Sequence, residues 1–194
     1  MTKIFIIGLG NPGPQYQNNR HNVGFMFVDF LLEKLKAPDS SKNIGQSWKY
    51  DKYSDSEIAK IDLNVTCYKL HVTLVKPQTF MNRSGFSVKK LTTYYSLLTT
   101  NLYVVHDDLD IPLGKFKIQA GVGPKVHNGL DSIEKALGTK DFWRIRIGVD
   151  NRGALNRQAG EQYVLSNFIK EETTELNSIF ETIHHQLFSQ VIKL

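Results

Sequence analysis

The pattern of apolar and polar residues predicts that strands and helices alternate from the start of the chain. Residues 3–8 form a short apolar run ending in glycine, which is typical of a buried strand. Apolar residues then recur at helical spacing from Val23 to Leu35 and predict an amphipathic helix over residues 22–36, which Pro38 closes. Within residues 47–76, apolar and polar residues alternate in stretches that polar turns separate. This pattern predicts two or three adjacent strands, partly antiparallel.

The same alternation continues to the end of the chain. Two further strands are predicted in LYVVHDDLD and RIRIGV. Helical spacing of apolar residues predicts three further helices, with stripes formed by Val88, Leu91, Tyr95 and Leu98, by Leu130, Ile133 and Leu137, and by Leu176, Ile179, Phe180, Ile183 and Leu187. We interpret His184 and His185 as polar residues of a solvated helix face rather than metal ligands. The pattern therefore favours an α/β fold.

Length and composition narrow the class of protein. A chain of 194 residues with 41% hydrophobic and 22% charged residues predicts one domain over residues 1–194. The single cysteine, Cys67, excludes a disulfide within the chain and a multi-thiolate metal site. The apolar run at the N-terminus is too short for a secretory signal or a membrane span, so we expect an intracellular protein. The net charge of +5 is compatible with a polyanionic partner but does not establish one.

Polar side chains follow the predicted strands at four places, where ligands of open α/β sheets collect. These segments are residues 8–13 with 20–22, 76–82, 106–110, and 127–129. They contain histidines, carboxylates and carboxamides. The sequence contains neither an HxxxH nor a CxxC spacing, so no such motif indicates a metal site.

The first of these segments matches the glycine pattern of dinucleotide-binding proteins, GxGxxG. That pattern requires a helix to begin within the glycine loop, but Pro12 and Pro14 delay helical periodicity until Val23. The acidic residue expected about twenty positions later would be Glu33, which lies inside the predicted helix. The sequence therefore disfavours a nucleotide-dependent oxidoreductase.

His21 and Asp107 form a candidate pair for general base catalysis. His21 precedes a predicted helix, whose positive end favours a neutral imidazole, and Asp107 at a strand end could accept one ring N–H. The alternative is a loop histidine and a turn-capping aspartate, and the residues alone leave both open. Likewise Asn11, Asn82 and Asn128 could orient a substrate or serve as ordinary turn residues.

Together, the segments GLGNPGPQY, RHNVGF, KPQTFMNRSG, HDDLDIPLG and HNGLDSIEKALG resemble the successive signatures of bacterial-type peptidyl-tRNA hydrolases. The resemblance extends from residue 3 to about 149, with a further match in YVLSNFIKEE. It implies a single α/β domain with a mixed, twisted sheet flanked by helices. It also implies hydrolysis of the ester joining a peptide to tRNA by a cytoplasmic monomer, without metal, organic cofactor or obligate protein partner.

The resemblance also implies residue roles. His21 matches the base that activates water, and Asp107 matches the carboxylate that orients it. Residues expected to position substrate or line the cleft are Asn11, Tyr16, Met81, Asn82, His127 and Asn128. Residues that the resemblance places on a basic surface for the tRNA acceptor arm are Lys117, Arg144 and Arg146. Lys125, which does not match the family, is a further candidate for a phosphate contact. Since Arg144 and Arg146 share one face of a strand, pairing with acids instead is an open alternative.

The chain departs from the family in two places. Lys125 and Val126 replace a Gly-Gly pair before His127, and with Pro124 they predict a stiffer loop. Residues 150–161 are unlike those of relatives, so their conformation is open. Two other functions compete: a noncatalytic RNA-binding module, which should have lost His21 or Asp107, and a broader esterase acting on other acyl-RNA.

Overall fold

A computed structural model describes residues 2–36, 47–65, 68–153 and 159–191. The strands are β1 Thr2–Gly8, β2 Lys49–Asp51, β3 Ser56–Val65, β4 Tyr68–Pro77, β5 Leu102–Pro112, β6 Phe116–Ala120 and β7 Trp143–Asp150. The helices are α1 Val23–Leu35, α2 Ser84–Tyr94, α3 Asn128–Leu137, α4 Gly160–Val164 and α5 Lys170–Val191. None of the helices in these ranges combines the length and apolar character that a membrane-crossing segment requires.

The seven strands form one mixed sheet in the order β2-β3-β4-β1-β5-β7-β6. The central strands β4, β1, β5 and β7 are parallel, whereas β2, β3 and β6 add antiparallel pairs at the two edges. This architecture confirms the predicted α/β fold with a mixed sheet flanked by helices.

Successive residues of β1 point to opposite faces of the sheet and enter two separate cores. Ile4 and Ile6 pack in one core with residues of α1 and α5. Phe5 and Ile7 pack in the other with residues of α2 and α3. The continuous apolar run of β1 is therefore explained by burial on both faces.

Most predicted elements are confirmed, with differences at the least periodic segments. The helix predicted over residues 22–36 is α1, whereas Pro38 and Cys67 lie outside the described residues. The extension of the next helix to Leu98 was wrong, because α2 ends at Tyr94 and Leu98 is 68% exposed. Ser96 adopts a positive φ of 47°, which turns the chain away from the helix. The short elements β6 and α4 were not predicted.

The parallel strands bring the chemically interesting loops to one edge of the sheet. Gly8 at the end of β1 lies in register with Val105 of β5, and Ile7 lies in register with Val75 of β4. Helix α1 approaches this edge closely at Gly24, where a Cβ atom would lie 2.4 Å from the backbone nitrogen of Leu9. The absence of a side chain at Gly24 therefore allows the turn before α1 to sit directly over the ends of β1 and β5.

Candidate active site

One carboxylate oxygen of Asp107 accepts hydrogen bonds from two imidazoles. His21 Nδ1 lies 2.8 Å from Asp107 Oδ1, and His127 Nε2 lies 3.0 Å from the same oxygen. Asp107 is buried on β5, His21 lies in a 3-10 turn just before α1, and His127 is the N-cap of α3. Three elements distant in sequence therefore converge on one buried anion.

The hydrogen bonds define the protonation of His127. Its Nδ1 accepts from the backbone N–H groups of Gly129 and Leu130, at 3.1 and 3.3 Å, so this nitrogen carries no proton. The ring proton must then be on Nε2, which donates to Asp107. The N-cap of α3 thus fixes the tautomer of His127.

Asp107 is anionic at neutral pH. Burial alone would raise the pKa of this carboxyl, but the neighbouring His21 and His127, through charge and hydrogen bonds, lower it well below its usual range. A carboxylate can only accept, so His21 donates from Nδ1 and keeps the lone pair on Nε2. This is the tautomer that a general base requires.

The pKa of His21 is raised from its ordinary value. Burial lowers it, but the charge of Asp107 and the hydrogen bond to it more than compensate. The helix N-terminus was expected to favour the neutral imidazole and so to lower the pKa of His21, and this prediction was therefore wrong. The carboxylate at 2.8 Å outweighs the more distant partial charges of the helix end.

His21, whose side chain is 12% exposed, faces a cleft of about 850 Å³. The cleft is lined by Asn11, His21, Phe80, Met81, Asn82, Arg83, Asp107, Leu109, Pro124, Val126, His127, Asn128, Gly160, Glu161, Val164 and Leu165. Seven of the eight residues predicted to act at the site are therefore in one place. Tyr16 is not among the lining residues and lies half-buried in a 3-10 turn at Pro14–Tyr16, so its role stays a prediction.

Asn11 is held rigidly by Asn22, a residue to which the sequence pattern gave no role. The backbone N–H of Asn11 donates to Asn22 Oδ1, and Asn22 Nδ2 donates to the Asn11 carbonyl, both at 2.9 Å. Asn11 Oδ1 accepts from the backbone N–H of Met81 at 2.9 Å. Its Nδ2 group is therefore the part left to act as a donor in the cleft.

Asn82 and Asn128 are more exposed. Asn82 lies in the 3-10 turn before α2, and Asn128 is the first residue of α3. Both residues line the cleft, and neither carboxamide has a hydrogen-bond partner among the described residues, so their donors and acceptors are available to a ligand.

Arg20, also missed from the sequence, anchors the turn that carries His21. Its guanidinium lies 2.6 Å from a carboxylate oxygen of Glu172 and donates to the carbonyl of Asn167 at 2.5 Å. The same group stacks on the ring of Tyr163 at 4.3 Å. The segment that resembles family sequences around residues 163–172 is thus attached directly to the residue before His21.

His106 completes the surroundings of Asp107. Its Nδ1 lies 2.7 Å from the backbone carbonyl of Asp107 and donates to it, while its ring packs edge-on against His127 with centroids 4.9 Å apart. Burial lowers the pKa of His106 to about 3, so the ring is neutral. Three imidazoles therefore donate to Asp107: those of His21 and His127 to its side chain and that of His106 to its backbone carbonyl.

The structure decides between the two interpretations of the arginines on β7. Arg144 is fully buried and lies 2.8 Å from Glu134, and Arg146 is buried with its Nε 2.8 Å from Asp108. Both therefore pair with acids, which corrects the expectation that they present a basic surface. Alternation along the strand indicated their shared face but not its burial.

Lys117 and Lys125 differ from these arginines. Both are exposed, Lys117 on the edge strand β6 and Lys125 beside the cleft residues Pro124 and Val126. No ion pair involves either ammonium within the described ranges. The backbone N–H of Lys125 donates to Asp110 Oδ2 at 3.2 Å, and neither Lys125 nor Val126 has a positive φ.

Within the described residues, two groups of side chains have the spacing of metal ligands. In the first, His21, Asp107 and His127, the facing atoms are already joined by N–H to oxygen hydrogen bonds, so a cation would have to replace two protons. The second, Glu181, His184 and His185, lies on α5, where the ring of His184 packs on Phe188. The hydrogen-bonded triad thus favours acid–base chemistry over a metal centre at the cleft.

Comparison with known proteins adds an independent line of evidence about the family of this chain. The model of the peptidyl-tRNA hydrolase family matches residues 5–193. A peptidyl-tRNA hydrolase of Lawsonia intracellularis is 42% identical over 185 residues, covering 95% of this chain and 85% of that protein. One of Neisseria meningitidis serogroup C is 40% identical over 176 residues, covering 91% and 84%. The crystal structure of peptidyl-tRNA hydrolase from Acinetobacter baumannii matches with a TM-score of 0.76 at 30% identity, covering 92% and 83% of the chains.

Proposed function

The chain belongs to the peptidyl-tRNA hydrolase family, and we propose that it cleaves the ester between peptide and tRNA with His21 as the general base. The observation that carries this proposal is the hydrogen bond from His21 Nδ1 to the buried carboxylate of Asp107. It directs the lone pair of the other ring nitrogen toward the cleft. His127 donates to the same carboxylate oxygen, and its ring lies beside that of His21, with centroids 5.1 Å apart.

In the proposed reaction, His21 Nε2 takes a proton from water as the water oxygen attacks the ester carbonyl carbon. The bond from that carbon to the ribose oxygen then breaks, and the ribose oxygen takes the proton back from the imidazolium. The products are a peptide with a free carboxylic acid, which loses its proton to solvent at neutral pH, and a tRNA with a free hydroxyl. Asp107 stabilises the imidazolium during the reaction. A positioned base of this kind contributes about 10²- to 10⁴-fold.

The carboxamides supply the polar contacts that the reaction needs. Asn11 Nδ2 is free to donate, because Asn11 Oδ1 is engaged by Met81. The unpaired amides of Asn82 and Asn128 can donate to the developing oxyanion or to the peptide. One such donor in an enclosed site is worth about 10²- to 10³-fold.

Selectivity for a blocked amino group follows from the same donors. A peptidyl group carries an amide carbonyl next to its last residue, which a free aminoacyl group lacks. We assign recognition of this carbonyl to Asn82 and Asn128, whose carboxamides have no protein partner among the described residues. A site built to pair with an amide rejects an analogue without it, since its own polar groups are then left unpaired.

The tRNA acceptor arm is assigned to the exposed lysines. Lys117 on β6 and Lys125 at the cleft offer ammonium groups that can contact phosphates. Arg144 and Arg146 are excluded from this surface by their burial and their ion pairs.

The function is tested by the release of free tRNA from three substrates: N-acetyl-aminoacyl-tRNA, unblocked aminoacyl-tRNA and an RNA acylated elsewhere on the ribose backbone. Cleavage of the blocked substrate alone, unchanged by EDTA, is the expected result. Equal cleavage of all three would indicate the broader esterase, and loss of activity in EDTA would overturn the metal-free mechanism. Binding of tRNA without cleavage would indicate a noncatalytic module.

A further inference from the structure

An exposed stripe of side chains leads away from the cleft along α2. Asn82, Phe86, Lys90 and Tyr94 are spaced by four residues, so they lie on one side of the helix and of the turn before it. Asn82 lines the cleft, while Phe86 and Tyr94 are 45% and 69% exposed. The stripe therefore begins at the cleft and continues outward over solvent-exposed aromatic rings.

The turn between β2 and β3 adds Tyr53, which is 51% exposed, to the exposed side chains of α2. Lys90 Nζ donates to the Tyr53 carbonyl at 2.8 Å and lies over the rings of Tyr53 and Phe86, at 4.8 and 4.3 Å. The rings of Tyr53 and Tyr94 lie 5.8 Å apart. We call these residues, Tyr53, Phe86, Lys90 and Tyr94, the aromatic stripe.

The position of this turn is fixed by the sheet. Ser56 at the start of β3 lies opposite Pro77 at the end of β4, so the turn before β3 lies at the same edge of the sheet as the cleft. The backbone N–H of Gln78 donates to the carbonyl of Asp55 at 2.8 Å and ties the turn to the segment that leads to Phe80 and Asn82. The aromatic stripe is thus continuous with the wall of the cleft.

Exposed aromatic groups of this extent mark an interaction surface, because rings gain free energy when a partner covers them. The substrate of the proposed function has two parts that leave the ester in different directions, the tRNA and the peptide. Either part could in principle reach a surface next to the cleft.

The stripe itself offers little free charge. The ammonium of Lys90 is engaged by two rings and a carbonyl. The exposed cations Lys52, Arg83 and Lys89 adjoin stripe residues or the cleft residue Asn82 in sequence but are not members of the stripe. The surface of the stripe therefore consists mainly of ring faces and edges, which suits an uncharged chain better than phosphates.

We propose that the aromatic stripe binds the peptide part of the substrate upstream of its last residue, an inference that rests on the proposed function. The stripe extends about 12 Å from Phe86 to Tyr94, at about 1.5 Å per helical residue. An extended peptide rises about 3.3 Å per residue, so the stripe accommodates about four residues. It contacts them by ring faces and edges, which suits many peptide sequences.

The test compares two tRNA substrates that share a last residue, N-acetyl-leucyl-tRNA and a tRNA carrying an N-acetylated pentapeptide that ends in leucine. Wild type should cleave the longer substrate with a higher kcat/KM. In the double variant F86S/Y94S, kcat/KM for the longer substrate should fall by about tenfold, as expected for two aromatic contacts. Cleavage of the short substrate should be unchanged, which also shows that the variant is folded.

The control is Leu98→Ser, which removes another exposed apolar side chain just beyond α2 but outside the stripe. It should retain the preference for the longer peptide. An equal loss on both substrates in the double variant would mean that the stripe contacts the tRNA, and no change on either would mean that it contacts neither part. If wild type cleaved neither substrate, the proposed function itself would fall and this inference with it.

Discussion

His21 Nδ1 and Asp107 Oδ1 lie 2.8 Å apart, although 86 residues separate them in the chain. The contact exists because β1 and β5 are parallel neighbours and because α1 packs tightly over their ends at Gly24. The carboxylate that results is buried, and a single one of its oxygens, Oδ1, accepts from the imidazoles of both His21 and His127. The proposed chemistry rests on this arrangement.

Replacing Asp107 by asparagine should lower kcat with little effect on KM. The introduced carboxamide could present an N–H to His21 and so favour the wrong ring tautomer, with the lone pair on Nδ1 rather than Nε2. In a comparable His–Asp pair this costs about 10⁴-fold. Steady-state kinetics on N-acetyl-aminoacyl-tRNA measure it, with the exposed Asp141→Asn as control. A loss confined to KM would show that Asp107 serves binding instead.

The pH dependence of kcat/KM should report the titration of His21. Its pKa is raised above the ordinary 6.5, and a base acts only when neutral, so activity is lost as the pH falls through this raised pKa. In Asp107→Asn the residual activity should decline at lower pH, because burial remains while the attraction of the carboxylate is gone. An acid limb that does not move in the variant would mean that another group titrates.

His127 should affect both stability and activity, and two substitutions can separate these effects. His127→Ala removes the side-chain cap of α3 and should lower the free energy of unfolding by about 0.5–2 kcal/mol. An asparagine at this position can accept at the helix end, so His127→Asn should retain most of the stability. Denaturant unfolding measures the stability of both variants. If His127→Asn keeps stability but loses kcat, the hydrogen bond to Asp107 contributes to catalysis separately from the cap.

The basic residues should divide into two classes. Lys117→Ala should raise KM for tRNA substrates and reduce the salt dependence of kcat/KM, since an exposed phosphate contact is lost. Arg144→Ala should instead destabilise the fold by about 2–5 kcal/mol, because it empties a fully buried position and removes the ion pair to Glu134. Kinetics at several salt concentrations and thermal unfolding distinguish them. A stable Arg144→Ala protein with a raised KM would contradict the assignment.

The fold was largely predictable because its strands and long helices carry strong periodicity. The prediction failed where an element is short or half-exposed, as for β6 and α4, and where an apolar residue such as Leu98 continues the spacing beyond the helix end. Periodicity identifies a face but not what covers it. This is why Arg144 and Arg146 were placed together correctly and yet their burial against Glu134 and Asp108 was not foreseen.

The residues of the cleft were predicted from their positions in loops after strands and from the family resemblance. Their convergence was expected because the carboxyl ends of parallel strands meet at one edge of a sheet. Arg20 and Asn22 were missed because their roles consist of hydrogen bonds to distant segments, which no local spacing reveals. The direction of the His21 pKa shift was missed for a related reason. A helix end can be predicted from sequence, but a carboxylate placed 2.8 Å away by tertiary structure cannot be weighed against it.

The central claim is that His21 activates the attacking water, and single-turnover cleavage of N-acetyl-aminoacyl-tRNA by His21→Asn tests it most directly. The rate at saturating enzyme should fall by about 10²- to 10⁴-fold while tRNA binding is retained. The exposed His185→Asn, as control, should cleave at the wild-type rate. A rate for His21→Asn within a few-fold of wild type would contradict the account.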